Sequence, residues 1–116
     1  LKALKYTISL LNSGKRVLLF PEGTRSTDGQ LGSATDGVGF IAKHAQVPTI
    51  PAFIGGTEKI LSRSGFLSLR TKITVTFGTS LDFSDLATEP RRQQYRLISE
   101  RIMDEIAQLR NQRGYD

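Results

Sequence analysis

The stretch "RVLLFPEGTRS", residues 16–26, decides how this 116-residue chain is read. Its first part, Val17 to Phe20, is apolar at every position and stops abruptly at Pro21. A short run without polar alternation is the pattern of a strand covered on both faces, as in a parallel sheet. Its second part presents a carboxylate, a glycine, two hydroxyls and a guanidinium directly after the apolar run. In open parallel sheets, ligands bind just beyond the carboxyl ends of the strands. The stretch therefore reads as a buried strand that delivers a polar loop to a binding edge.

Working outward, residues 1–12 read as a helix, because Leu1, Leu4, Ile8 and Leu11 recur at spacings of three and four. Asn12, Ser13 and Gly14 end it. After the polar loop of residues 21–36, the pattern predicts a second helix from Gly37 to Ala45, with Val38, Ile41, Ala42 and Ala45 inward and Pro48 as the stop. "TIPAFIG", residues 49–55, reads as a second buried strand, with Pro51 at a strand end or bulge because proline has no ladder donor. Residues 55–70 read as irregular. "KITVTFG", residues 72–78, reads as a third strand, with Ile73, Val75 and Phe77 on one face and an edge position suggested by its threonine face. A long last helix starts at Thr88-Glu89-Pro90, carries the stripe Tyr95, Ile98, Ile102, Ile106 and Leu109, and is capped by Gly114. This order predicts an α/β domain with a mainly parallel sheet flanked by helices. Three strands make a small sheet, and "RVLLF" calls for neighbours on both sides.

Composition narrows the chemistry. The chain carries 16 Lys and Arg against 11 Asp and Glu, for a net charge of +5, which favours an anionic partner. It has no cysteine and one histidine, His44, so thiolate catalysis, disulfides and a multi-histidine metal site are excluded. No metal site is expected. No apolar run reaches the ~18 residues of a membrane span. Basic residues are not interleaved with aromatics, so no nucleic-acid partner is expected.

The polar half of the opening stretch suits a phosphorylated polyol. Gly23 lets a ligand approach the backbone closely, and successive N–H groups there can form an anion-binding nest. Arg25 offers a fork that matches two phosphate oxygens. Glu22 can accept from a substrate hydroxyl or brace Arg25, and Thr24 and Ser26 add hydroxyl donors. From these residues alone, Glu22 and Arg25 equally fit a surface ion pair within a turn.

The residues Phe20–Ser26, "FPEGTRS", resemble the third signature block of the glycerolipid acyltransferases, which include lysophosphatidate and glycerol-3-phosphate acyltransferases. "VPTIPA", Val47–Ala52, resembles the fourth block, with Thr49 and Ala52 smaller than the aliphatic residues usual there. The resemblance implies acyl transfer from acyl-CoA or acyl carrier protein, as co-substrate and not as resident cofactor, to a glycerophosphate hydroxyl in phospholipid biosynthesis. It assigns Glu22, Gly23, Thr24, Arg25 and Ser26 to the acceptor, with Arg25 on its phosphate. It assigns Pro48 and Pro51 to a wall beside the acyl chain or the active centre.

The family's chemistry rests on a histidine followed five residues later by an aspartate, with the histidine as general base on the acceptor hydroxyl. Here His44 follows the third block instead of preceding it, and residue 49 is a threonine. No catalytic residue is therefore assigned, and His44 is expected to be a surface or structural histidine. The family's second block, with its further phosphate-contacting arginine, is also absent. Residues 1–116 are accordingly expected to be the carboxyl-terminal part of a glycerophospholipid acyltransferase domain, inactive alone, and peripheral on the cytoplasmic face of a membrane. The alternative is a non-catalytic module that binds phosphate or anionic lipid. From Lys59 to Leu81 there is no acidic residue, while Lys59, Arg63, Arg70 and Lys72 are interspersed with Ile60, Leu61, Phe66, Leu67 and Leu69. That segment fits either an anionic bilayer surface or packing under the sheet. The arginines of the last helix read as a solvated face with i,i+4 pairs. An exposed sheet edge would allow a homo-oligomer.

Overall fold

The computed structural model describes residues 2–22, 36–56 and 72–114. In chain order these form helix α1 (Lys2–Asn12), helix α2 (Asp36–Ala45), strand β1 (Ala52–Gly55), strand β2 (Thr74–Phe77), a 3-10 turn (Ser84–Leu86) and helix α3 (Arg91–Gln112). The mixed α/β composition and all three helices follow the sequence pattern.

Helix α1 ends as its glycine dictates. Gly14 takes a φ of 91°, which costs a residue without a Cβ nothing. The N–H of Gly14 donates to the carbonyl of Leu11 at 3.0 Å, and that of Lys15 to Leu10 at 3.1 Å. This pair of bonds is a Schellman closure. Helix α3 ends similarly, with Gly114 at φ 87°. At its start, Pro90 stands in the N-cap position with no side-chain cap. The buried Gln94 instead anchors the turn that leads into the helix: its Nε2 donates to the carbonyls of Ala87 and Glu89.

The core lies between α3 and the sheet. Ile98, Ile102, Met103, Ile106 and Leu109 of α3 cluster with Phe53 of β1, and Val38, Ala42, Leu81, Phe83 and Leu86 pack around them. Four of these core residues are the predicted stripe; its fifth member, Tyr95, is half-buried at the seam with α2.

The sheet departs from expectation. Among the described residues it consists of β1 and β2 alone, and they run antiparallel, Ala52 facing Phe77 and Ile54 facing Val75. The expected parallel pairing is not seen among the described residues. The predicted strand "RVLLF" is not a strand: residues 15–20 carry no ladder, and Leu18 is 71% exposed. A run that is apolar on both faces needs a strand on each edge and a layer on each side. The described residues provide neither. "TIPAFIG" does form β1, which starts immediately after Pro51, as a residue without a ladder donor requires. The pairing extends outward through the carbonyls of Pro51 and Thr49, which accept from Gly78 and Leu81 at 2.9 Å each.

In β2 the faces are reversed from the usual hydrophobic-in order. Thr74 and Thr76 share the face of Gly55 and Phe53 through direct pairing, and they are half-buried. Ile73, Val75 and Phe77 point outward and are exposed. The register decides this, because a residue shares its face with its direct partner, and Phe53 is committed to α3.

Candidate functional site

The polar loop begins at a defined point. Pro21 is buried and Glu22 is half-buried, within a turn. Gly23, Thr24, Arg25 and Ser26 lie outside the described residues. The next described residue is Asp36, in the first turn of α2, where a carboxylate complements the positive end of the helix dipole.

The position of α2 is fixed from α3. The backbone N–H of Gly39 donates to Ser99 Oγ at 2.9 Å in a buried contact. This ties the first turn of α2 to the middle of α3. A Cβ at residue 39 would collide with the carbonyl of Tyr95, so only glycine permits the approach. One turn further along α2, His44 Nε2 and Tyr95 Oη share a hydrogen bond of 2.9 Å. The Phe40 ring lies 4.4 Å from His44 and 5.2 Å from Tyr95, centroid to centroid. His44 is thus engaged in the α2–α3 seam, as its expected structural role requires. Sequence reasoning missed Gly39 and Ser99, since neither is part of a stripe or motif; the small residue amid the apolar positions of α2 was the available signal.

The two prolines of "VPTIPA" fall on different sides. Pro51 is buried, and a Cβ at Gly78 would lie 2.9 Å from its Cγ. Pro48 is exposed. Between them Thr49 bridges to Leu81.

A cleft of about 340 Å³ opens elsewhere, between the end of α2, residues 82–87 and α3. Lys43, Gln46, Asp82, Ser84 and Gln94 contribute its polar lining, and neither Pro21 nor Glu22 borders it. The 82–87 segment that forms one side of it is tied to α3 by Arg101, whose Nη1 and Nη2 donate to the two carboxylate oxygens of Asp85 at 2.7 Å each. Nη1 also donates to the carbonyl of Asp82 at 3.0 Å. Hydrogen bonding to Arg101, reinforced by its charge, holds the Asp85 carboxyl below the usual aspartate value. The same hydrogen bonding to Asp85, with the charges of Asp85, Asp82 and Glu105, raises Arg101. The expected i,i+4 pairing on α3 is realised only loosely, Arg96 Nε lying 3.7 Å from Glu100. No group of three or more metal-ligating side chains occurs among the described residues, and no described helix is long and apolar enough to cross a membrane.

Comparison with known proteins bears on the same end of the chain. A model of the Acyltransferase family matches residues 1–55, which include the turn at Glu22, all of α2 and all of β1. A chloroplastic 1-acyl-sn-glycerol-3-phosphate acyltransferase of Brassica napus is 45% identical over 58 residues, which cover 50% of this chain and 17% of that protein. Its counterpart in Arabidopsis thaliana is likewise 45% identical over 58 residues, covering 50% of this chain and 16% of that protein. The match thus spans about a sixth of the length of these curated relatives. No solved structure matches the chain. Over residues 1–55, just under half of its length, the chain is similar to the acyltransferase family.

Proposed function

We propose that the protein to which these residues belong transfers an acyl group to a hydroxyl of a glycerophosphate lipid, of the lysophosphatidate type, and that this chain supplies the loop that holds the acceptor. The observation that carries the reading is the stretch Phe20–Ser26 inside the family match, supported by relatives named as 1-acyl-sn-glycerol-3-phosphate acyltransferases. In this reading Arg25 pairs with the acceptor phosphate. Gly23 brings backbone N–H groups up to it, and Glu22, Thr24 and Ser26 bond to the glycerol and phosphate oxygens. Pro48 and Pro51 shape the adjoining wall. The acceptor oxygen attacks the thioester carbonyl of acyl-CoA or acyl carrier protein. A C–O bond forms, the C–S bond breaks, and the thiol leaves with the proton lost by the hydroxyl. The lipid acceptor and the anionic character it shares with a membrane surface agree with the net charge of +5 and with peripheral membrane attachment.

The test is acceptor binding by this chain, followed by calorimetry with lysophosphatidate below its micelle concentration. Arg25→Ala is expected to weaken binding by at least tenfold, since a charge-assisted bond to phosphate contributes about 1.5–3 kcal/mol. Unchanged binding in Arg25→Ala removes the site assignment.

A second reading is a non-catalytic phosphate-binding module. It is favoured by the engagement of His44, the single histidine, with Tyr95 in the helix seam. A positioned general base contributes ~10²–10⁴-fold, and none is assigned here. Thiol release from acyl-CoA by this chain, dependent on Glu22 and Arg25, decides against that reading; binding without release supports it.

A further inference from the structure

The cleft between the end of α2, residues 82–87 and α3 contains a fixed and unused acceptor. Gln94 lines it and is only 7% exposed. The Nε2 of Gln94 donates to the carbonyls of Ala87 and Glu89, which uses both amide hydrogens and sets the plane of the group. Two carbonyls on one side of the amide can accept from the nitrogen alone, so Oε1 is on the other side. Oε1 accepts no hydrogen bond among the described residues. It is the polar atom that this buried side chain has left to offer the cleft.

We propose that this cleft binds a small uncharged molecule with a compact apolar body and a single N–H or O–H donor, which bonds to Gln94 Oε1. The walls around Gln94 include Ala42, Val47, Phe83, Leu86 and Ile98. Ile98 belongs to the core, and Ala42, Phe83 and Leu86 pack against it, so the fold itself holds the apolar walls in place. Arg101 ties the 82–87 side to α3. The volume of about 340 Å³ is at the small end of ligand clefts, which suits a compact occupant. A purely apolar occupant would leave the acceptor buried and unpaired, which costs affinity. A carboxylate or phosphate would set acceptor against acceptor at Gln94.

Charge and position both separate this ligand from the glycerophosphate acceptor. Lys43 and Asp82 border the same cleft, and one charge of each sign gives no net field to hold an ion. Neither forms an ion pair among the described residues. The cleft lies at the last turn of α2, while Asp36, where the polar stretch of the sequence ends, is in the first. Ten helical residues put about 15 Å between the two ends, and Glu22 does not border the cleft.

The test is an NMR titration of this chain with indole and with benzofuran, two rings of one shape of which only indole carries a donor. Indole is expected to bind saturably, with shifts centred on residues 42–47, 82–87 and 94–98 and on the Gln94 side-chain amide. Benzofuran is expected to bind at least about tenfold more weakly, the usual consequence of an unpaired buried acceptor. Gln94→Leu, its fold checked by circular dichroism, is expected to remove that preference. No saturable binding of indole up to its solubility overturns the proposal. Equal affinity for the two rings in the wild-type chain overturns it as well, because the cleft is then merely apolar. So does a preference that survives in folded Gln94→Leu; if that variant does not fold, the wild-type comparison and the shift map decide alone. Shifts centred on the exposed Val75 and Phe77 of β2 mean adsorption to the sheet and overturn it too. Tighter binding of indole-3-carboxylate than of indole makes the cleft an anion site, which also overturns it.

Discussion

Gly39 donates its backbone N–H to Ser99 Oγ, 2.9 Å away and 60 residues later in the chain. Ser99 is only 1% exposed, so bulk water does not readily replace its hydroxyl as acceptor. Ser99→Ala is expected to lower unfolding stability by about 1–3 kcal/mol, the usual result of leaving a buried donor unsatisfied. Gly39→Ala is expected to lower it by a similar ~1–3 kcal/mol through overpacking against the Tyr95 carbonyl. The two residues share one contact, so their effects should not add. Urea titration of both single variants and the double variant reads this out.

The Asp85–Arg101 pair sets a pH dependence on the acid side. The folded-state pKa of Asp85 is depressed, so the stabilisation is complete above the ordinary aspartate value of 3.8 and is lost as the pH falls through the lowered one. Thermal midpoints of wild type and Asp85→Asn should therefore differ at neutral pH and converge as the solution is acidified below that value. Both groups are solvent-accessible, so raising the salt concentration should shrink the difference at neutral pH.

Arg110 is a liability in the folded chain. It is 91% buried by exposure of 9%, and its Nε has no hydrogen-bond partner. Arg110→Met keeps the length and apolar stem of the side chain and removes the unpaired group. It is expected to raise stability by about 1 kcal/mol, visible as a higher urea midpoint at unchanged slope.

If Arg25 holds the acceptor phosphate, its geometry matters as well as its charge. Arg25→Lys should recover part of the binding lost in Arg25→Ala but not all of it, because an ammonium cannot reproduce a two-point fork on phosphate. Equal affinity for wild type and Arg25→Lys would reduce the role of Arg25 to general electrostatics.

The helices were legible from the chain because their signals are local. The stripe Ile98, Ile102, Ile106 and Leu109 needs only the helical period, and Gly14 and Gly114 mark ends that favour positive φ. Met103, also in the core, lies off the simple stripe. The strands were legible as segments but not as a sheet. Apolar residues at 17–20 state a wish to be covered without naming a partner, whereas pairing direction is set by chain geometry far away in sequence. The inward threonines of β2 follow from the commitment of Phe53 to α3, a tertiary fact that alternation cannot convey. At the candidate site, Glu22 and the buried Pro21 lie in the described turn, and the motif signalled chemistry without geometry. Ser99 was unreadable because its role exists only once α2 lies against α3.

Five of the six clustered core residues belong to α3, the last of the described elements. The described core therefore has almost nothing to collapse onto until α3 is present. α1, α2 and both strands wait, with Phe53 and the outward sheet residues exposed to the nascent-chain environment. Assembly of this core joins residues far apart in sequence, which slows it and lengthens the window for chaperone capture or aggregation. Removing α3 would take away five of the six clustered core side chains and leave Phe53 uncovered.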